Sequence, residues 1–287
     1  MAGYLYYHYN PSVAGAVIFA VLFTVASGRH LQQIIQSRSW FFIPFLIGCL
    51  VEAGGYVARL LSAKQTPNWT LMPYILQSIM TLLGPTFFAA SIYMVLGRLI
   101  RLLEADRYSL IRTRWLTKFF LLGDILSFFG QGGGGGMLAT AKTPSSQSLG
   151  NNVILLGLAI QVLFFGFFMV VTLVFHVRLM RRPTQKSMAI SAPWHRFIWV
   201  LYGTSLFIMI RSVFRMAEYA QGNDGSLLQT EIYIYVLDAL LMVFVAIIFA
   251  IYHPSEVLNA VVVYHQNSFP GENDAYPMVK GNGFHQT

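Results

Sequence analysis

The side chains that could do chemistry in this chain stand inside stretches that are otherwise apolar. Glu52 and Arg59 share one stretch, Asp124 and Gln131 a second, Arg211, Arg215 and Glu218 a third, Glu231 and Asp238 a fourth. Gln77 and Gln161 occupy two more, and Pro85 interrupts the stretch that holds Gln77. Glu52 and Arg59, Asp124 and Gln131, and Glu231 and Asp238 are each seven residues apart; Arg215 and Glu218 follow Arg211 at four and seven. Two helical turns return nearly to the same face, so on helices each set forms one polar stripe. At mid-bilayer each such charge costs ~2.5–3.5 kcal/mol, which demands a partner or water. Residues of this kind line a pathway for polar headgroups or protons, or they lock helices together as buried ion pairs, such as Arg59 with Glu218 or Arg215 with Asp238.

Other chemistries find no support in the residue types. Cys49 is the single cysteine, so no disulfide within the chain and no cysteine-based metal site is expected. His8, His30, His176, His195, His253, His265 and His285 fall in loops, tails or span ends, and no three share a depth. An intramembrane zinc hydrolase, which needs such a cluster, is therefore not expected, nor is any metal, cofactor or enzymatic activity. The last span carries no lysine for a retinal Schiff base, and no phosphate-binding loop for ATP is present. The run Gly132 to Gly136 lacks the strand and helix context of a nucleotide loop. It reads as a frayed helix end, or as close backbone packing or an unwound segment beside Gln131.

The elements that must position these residues follow from composition. Of 287 residues, 56% are hydrophobic and 10% charged, against about a quarter charged in soluble domains. A chain this short cannot hide that much apolar surface from water, so lipid is its solvent. A helix crosses the hydrocarbon core with ~20 apolar residues, and seven stretches qualify: roughly 12–34, 40–62, 71–97, 115–138, 152–177, 196–218 and 231–252. Trp40, Trp69, Trp115 and Trp194 sit near the expected interfaces, and Pro254 follows the last span. The expectation is an all-α polytopic bundle of seven transmembrane helices over 12–255. Residues 1–11 precede it, and a polar tail over 256–287 is expected to be disordered.

The net charge of +8 reads as membrane orientation, not as nucleic-acid binding. Arg29 and Arg38 follow the first span. Arg98, Arg101, Arg107, Arg112, Arg114 and Lys118 follow the third, and Arg178, Arg181, Arg182, Lys186 and Arg196 the fifth; Lys280 lies in the tail. Only Lys64 and Lys142 fall on the other side. Basic residues stay cytosolic, which predicts an extracellular N-terminus and a cytosolic C-terminus. The sequon Asn68-Trp69-Thr70 then lies outside, where Asn68 could be glycosylated. In that orientation Arg59, Gln131, Arg211, Arg215, Glu218, Glu231 and Asp238 sit in the outer half, and Glu52 and Asp124 lie near mid-depth. A polar cavity open to the outside, with two carboxylates at its floor, is expected.

The same residues carry a family likeness. Glu52-x-x-Gly55-Tyr56-x-x-Arg59 is followed by Gln77, then Gly84-Pro85 and Ala89-Ala90-Ser91-x-Tyr93. Asp124-x-x-Ser127 leads to Gln131-x-x-Gly134 and Gly157-x-x-x-Gln161. Arg211-x-x-x-Arg215-x-x-Glu218, Gly222, Glu231 through Tyr235 to Asp238, and His253-Pro254 complete the set. The chain resembles the RTA-like fungal lipid-translocating exporters over about residues 12–255. That resemblance implies export or transbilayer movement of sphingoid long-chain bases, resistance to toxic amphiphiles, or, in one branch, porphyrin or haem transport. The expected function is translocation of amphiphiles without an ATPase of its own, at the plasma membrane first and at the vacuolar or endoplasmic-reticulum membrane as the alternative, with the eleven residues named at the outset as pathway. A cationic headgroup could pair with Glu52, Asp124 or Asp238, and a proton-coupled cycle could run through Glu52 or Asp124. A seven-helix receptor or stress sensor is the alternative, since topology does not determine function.

Overall fold

The computed structural model describes residues 10–66, 69–141, 143–189, 194–221 and 230–256. Asn68, Gly222 and the tail beyond Glu256 lie outside the described residues. Helix α1 (Val13–Ser37) is capped by Ser12, whose hydroxyl accepts from the Gly15 N–H at 3.2 Å. A 3-10 turn over Trp40–Phe42 leads into α2 (Ile43–Lys64), and α3 spans Leu71–Leu102. A second 3-10 turn (Asp106–Tyr108) precedes α4 (Thr113–Thr140), α5 (Pro144–Arg181), the short α6 (Gln185–Ala189) and α7 (Trp194–Ala220). The last rod begins as α8 (Glu231–Ile234), widens into a π-helical turn over Tyr235–Ala239 and continues as α9 (Leu240–Ile251).

Helix α5 starts eight residues before the expected 152. Thr143 and Ser146 form a reciprocal capping box, and Pro144 occupies the first turn, where its missing N–H costs nothing. The sequence 143–151 is too polar to read as a span, yet it satisfies its own helix end and so extends the rod.

Neighbours in sequence are neighbours in space. Helices α1 to α5 pack each on the next, α5 packs on α7, α7 on α9, and α9 returns to α1. Helix α3 also touches α7, which makes it the inner member of the ring. Its buried Phe88, Ile92, Tyr93, Leu96 and Ile100 anchor the main apolar core.

Burial is inverted relative to a water-soluble protein. Leu163 on α5 is 71% exposed and Phe129 on α4 69%, whereas Arg59 and Arg211 are each 1% exposed. Apolar side chains outward and charges inward is the arrangement that lipid selects. Among the described residues, α1, α2 with its preceding turn, α3, α5, α7 and the α8–α9 rod are six helices long and apolar enough to cross a membrane. The expected span 115–138 forms α4, which is long enough at 28 residues. Its glycine run, Asp124 and Gln131 lower its hydropathy below that of the others. The molecule is an integral, multi-pass membrane protein of helices.

Candidate functional site

Three arginines and three acids pair between or within helices at one end of the bundle. The Arg59 guanidinium, near the end of α2, donates through Nη2 to Glu231 Oε1 at 2.7 Å and through Nε to the Tyr235 hydroxyl at 3.0 Å. Tyr235 donates to the same carboxylate oxygen at 3.0 Å. The Ser12 N–H donates to both Glu231 oxygens, at 2.8 and 3.0 Å. One carboxylate thus ties the start of α1, the end of α2 and the start of the last rod together.

The second pair depends on a proline. Pro85 has no N–H, so the carbonyl four residues earlier, on Thr81, loses its helical donor. Arg211 Nη2 fills that vacancy at 2.6 Å while its Nε binds Asp238 Oδ1 at 2.5 Å. Asp238 itself stands in the π-helical turn, whose extra residue per turn resets the face presented after Glu231. The third pair lies within α7, where Arg215 Nη1 meets Glu218 Oε2 at 2.7 Å and the guanidinium covers the Tyr219 ring. The pairing is therefore not the expected one. Arg59 takes Glu231 and not Glu218, and Asp238 goes to Arg211 and not Arg215.

Two buried acids remain outside these pairs. Glu52 is 2% exposed, and its Oε1 has no hydrogen-bond partner among the described residues. Its carboxyl lies where α3 presents Gly84, so a Cβ there would overlap it. Asp124 accepts from the Tyr93 hydroxyl through Oδ2 at 3.0 Å, and its Oδ1 has no partner among the described residues. Tyr93 is itself held among Phe120, Phe165 and Phe168.

Further along α4 the amides meet. Gln131 Nε2 donates to Ser127 Oγ at 2.6 Å and to Gln161 Oε1 on α5 at 3.0 Å, which leaves Gln131 Oε1 without a partner among the described residues. The backbones come this close because the contact residues are glycines. A Cβ on Gly130 would meet the Gly157 Cα at 3.1 Å, and one on Gly134 would meet the Gly150 carbonyl at 2.6 Å. The glycine run is continuous α-helix, neither frayed nor unwound. Gly132, Gly135 and Gly136 instead form one wall of a cavity of about 150 Å³. Its other walls carry Tyr74 and Ser78 of α3, Ile154 of α5 and Tyr219 of α7.

Glu52, Arg59, Arg211, Arg215, Glu218, Glu231 and Asp238 thus gather around α2, α3, α7 and the last rod. Asp124, Gln131 and Gln161 form a second group at α4 and α5. Of the eleven expected residues, Gln131 stands on the cavity wall; Glu52 and Asp124 are not among its lining, so they do not form its floor. Gln77 is half-buried on α3, and its carbonyl accepts from Thr81. Ser12, Ser127, Tyr235 and the Thr81 carbonyl are partners that the spacing of charges does not announce. Only Pro85 carried a usable sign, because it implies a free acceptor four residues earlier.

Comparison with known proteins matches residues 45–260 to the family model described as RTA1 like protein. Protoporphyrin uptake protein 1 of Saccharomyces cerevisiae is 34% identical over 285 residues, covering 87% of this chain and 92% of that protein. Protein RTA1 of the same yeast is 32% identical, with 95% and 91% covered. The sphingoid long-chain base transporter RSB1 is 27% identical, with 93% and 74% covered. No solved structure matches at significance.

Proposed function

This chain belongs to the RTA1-like protein family, and on that premise we propose that it translocates amphiphiles with a cationic headgroup, sphingoid long-chain bases foremost, without hydrolysing ATP. The observation that carries this reading is the pair of unmatched acids. Every buried arginine in the bundle has its carboxylate, whereas Glu52 and Asp124 each keep an oxygen that no donor among the described residues reaches. An amine entering the membrane interior would find charge-assisted acceptors there. The glycine-walled cavity beside Gln131 offers room for part of an alkyl chain and an acceptor for a hydroxyl.

The reading includes seven spans, with α4 as the one that hydropathy alone leaves out, and an extracellular N-terminus. The exposed face of α4 carries Leu122, Ile125, Leu126 and Phe129 opposite buried Asp124, Ser127 and Gln131, which supports a membrane crossing. Fourteen basic residues on one side of that topology support the orientation. The arginine pairs then hold the outer ends of the helices together.

Uptake of a porphyrin is the second reading, favoured by the higher identity to the protoporphyrin uptake protein. Its carboxylates would seek arginines, not acids. Purified protein in liposomes decides between them when flux of a labelled sphingoid base and of a porphyrin is followed with and without a pH gradient. Base flux that falls about ten- to a hundredfold in Glu52→Gln or Asp124→Asn is expected, the loss of one charged hydrogen bond. Porphyrin flux alone would establish the second reading, and no flux of either would leave a sensor.

A further inference from the structure

We propose that Arg107, Arg178, Arg181 and Arg182 form a binding site for the phosphorylated headgroup of an anionic membrane lipid, at the end of the bundle opposite the arginine–carboxylate pairs. The four come from separate places in the chain. Arg107 lies in the 3-10 turn before α4, Arg178 and Arg181 in the last turn of α5, and Arg182 caps that helix. They nevertheless line one hollow of about 380 Å³ together with Tyr108.

Basic residues at the end of α5 are explained in part by its dipole, which favours cations at a C-terminus. That accounts for Arg178 and Arg181 but not for Arg107, which belongs to another segment and brings a further positive charge to the same hollow. Tyr108 holds the assembly in place: its carbonyl accepts from Arg178 Nη1 at 3.4 Å, and the Arg107 guanidinium lies over its ring. The nearby acids are engaged elsewhere. Glu104 pairs with Lys186 at 2.8 Å, and Asp106 accepts from the Thr113 hydroxyl. Among the described residues none of the four arginines has a carboxylate partner. Four exposed guanidiniums around one hollow repel each other until an anion joins them, and their planar forks fit phosphate oxygens two at a time.

The adjoining surface identifies the anion as a lipid. A few residues on from Tyr108, Ile111, Trp115, Phe119 and Leu122 line an apolar crevice with Phe167 of α5. Lys118 borders that crevice and sits over the Trp115 ring. A basic hollow at the helix ends, an aromatic and a lysine next, and an apolar crevice beyond them match a lipid with its phosphates at the surface and its chain in the bilayer. A soluble anion has no use for the crevice.

The test places the full chain in nanodiscs, where both leaflets are accessible and orientation does not matter. Phosphatidylcholine discs are compared with discs holding phosphatidylinositol bisphosphate, and with discs holding phosphatidylserine at matched total charge. The expected result is a rise in melting temperature with the bisphosphate alone. Arg178→Gln combined with Arg182→Gln should weaken binding about thirtyfold, roughly fivefold per arginine. The charge-conserving Arg178→Lys with Arg182→Lys should weaken it severalfold through loss of the forks. Melting in phosphatidylcholine alone controls for folding of each variant. An equal response to phosphatidylserine would overturn the site in favour of surface potential. Soluble inositol trisphosphate binding as tightly as the lipid would overturn the lipid as occupant.

Discussion

Glu52 and Asp238 are both buried acids near the same arginines, and they should behave oppositely when neutralised. Asp238→Asn strands Arg211, whose other hydrogen bond among the described residues is to a single carbonyl, and breaking a buried pair this way costs about 3–5 kcal/mol. Glu52→Gln strands nothing, because no cation or donor among the described residues is bonded to Oε1. The expected outcome is a marked loss of thermal stability in detergent for Asp238→Asn, with Glu52→Gln at or above the parent and deficient only in flux. Equal destabilisation by the two would make Glu52 a structural residue and remove it from the pathway. The inward direction of these residues was legible in the sequence from the seven-residue spacing. The choice of partner was not. It depends on a carbonyl freed by Pro85 and on a π-helical turn at Asp238, and neither alters the periodicity of charge.

The five consecutive glycines of α4 do not share one task. Gly134 belongs, with Gly130, to a small-residue seam against Gly150 and Gly157 of α5, so Gly134→Ala should force the helices apart at a cost of about 1–3 kcal/mol. Gly132 and Gly133 meet nothing within 4 Å, and alanine there should be tolerated or stabilise by roughly 0.8–1.0 kcal/mol through helix propensity. Gly135 faces the cavity, where a leucine would occupy the space proposed for substrate without touching the seam. Gly135→Leu is therefore expected to keep the melting temperature and lose flux, measured in the same liposomes. Flux that survives a filled cavity would exclude it from the route. A run of five glycines announces a special helix in sequence. Which of them packs and which lines a void depends on where α5 crosses, and no pattern within α4 alone carries that.

At the scale of the molecule, the topology turns on whether α4 crosses the bilayer. Mean hydropathy undervalues such a helix, since one face is apolar toward lipid while the other carries Asp124, Ser127, Gln131 and the glycine seam toward α5. Averaging over both faces masks the two-sided burial pattern of α4, with Leu122, Ile125, Leu126 and Phe129 exposed and Asp124, Ser127 and Gln131 buried. The consequence is topological: if α4 crosses, the connections before and after it lie on opposite sides; if it does not, they lie on the same side. Leu110 precedes α4 and Ser145 lies in the first turn of α5, and both are exposed. The chain has one cysteine, Cys49, which is buried. Leu110→Cys and Ser145→Cys, each in a Cys49→Ala background, therefore report through a membrane-impermeant maleimide. Labelling of Ser145→Cys in intact cells, and of Leu110→Cys only after permeabilisation, is the expected result. The reverse pattern would keep the seventh span but invert the orientation, and would carry the arginine hollow beyond Tyr108 to the extracellular face. Labelling of both from one side would reduce α4 to a helix lodged within one leaflet, and Asp124 could then no longer sit midway across the membrane.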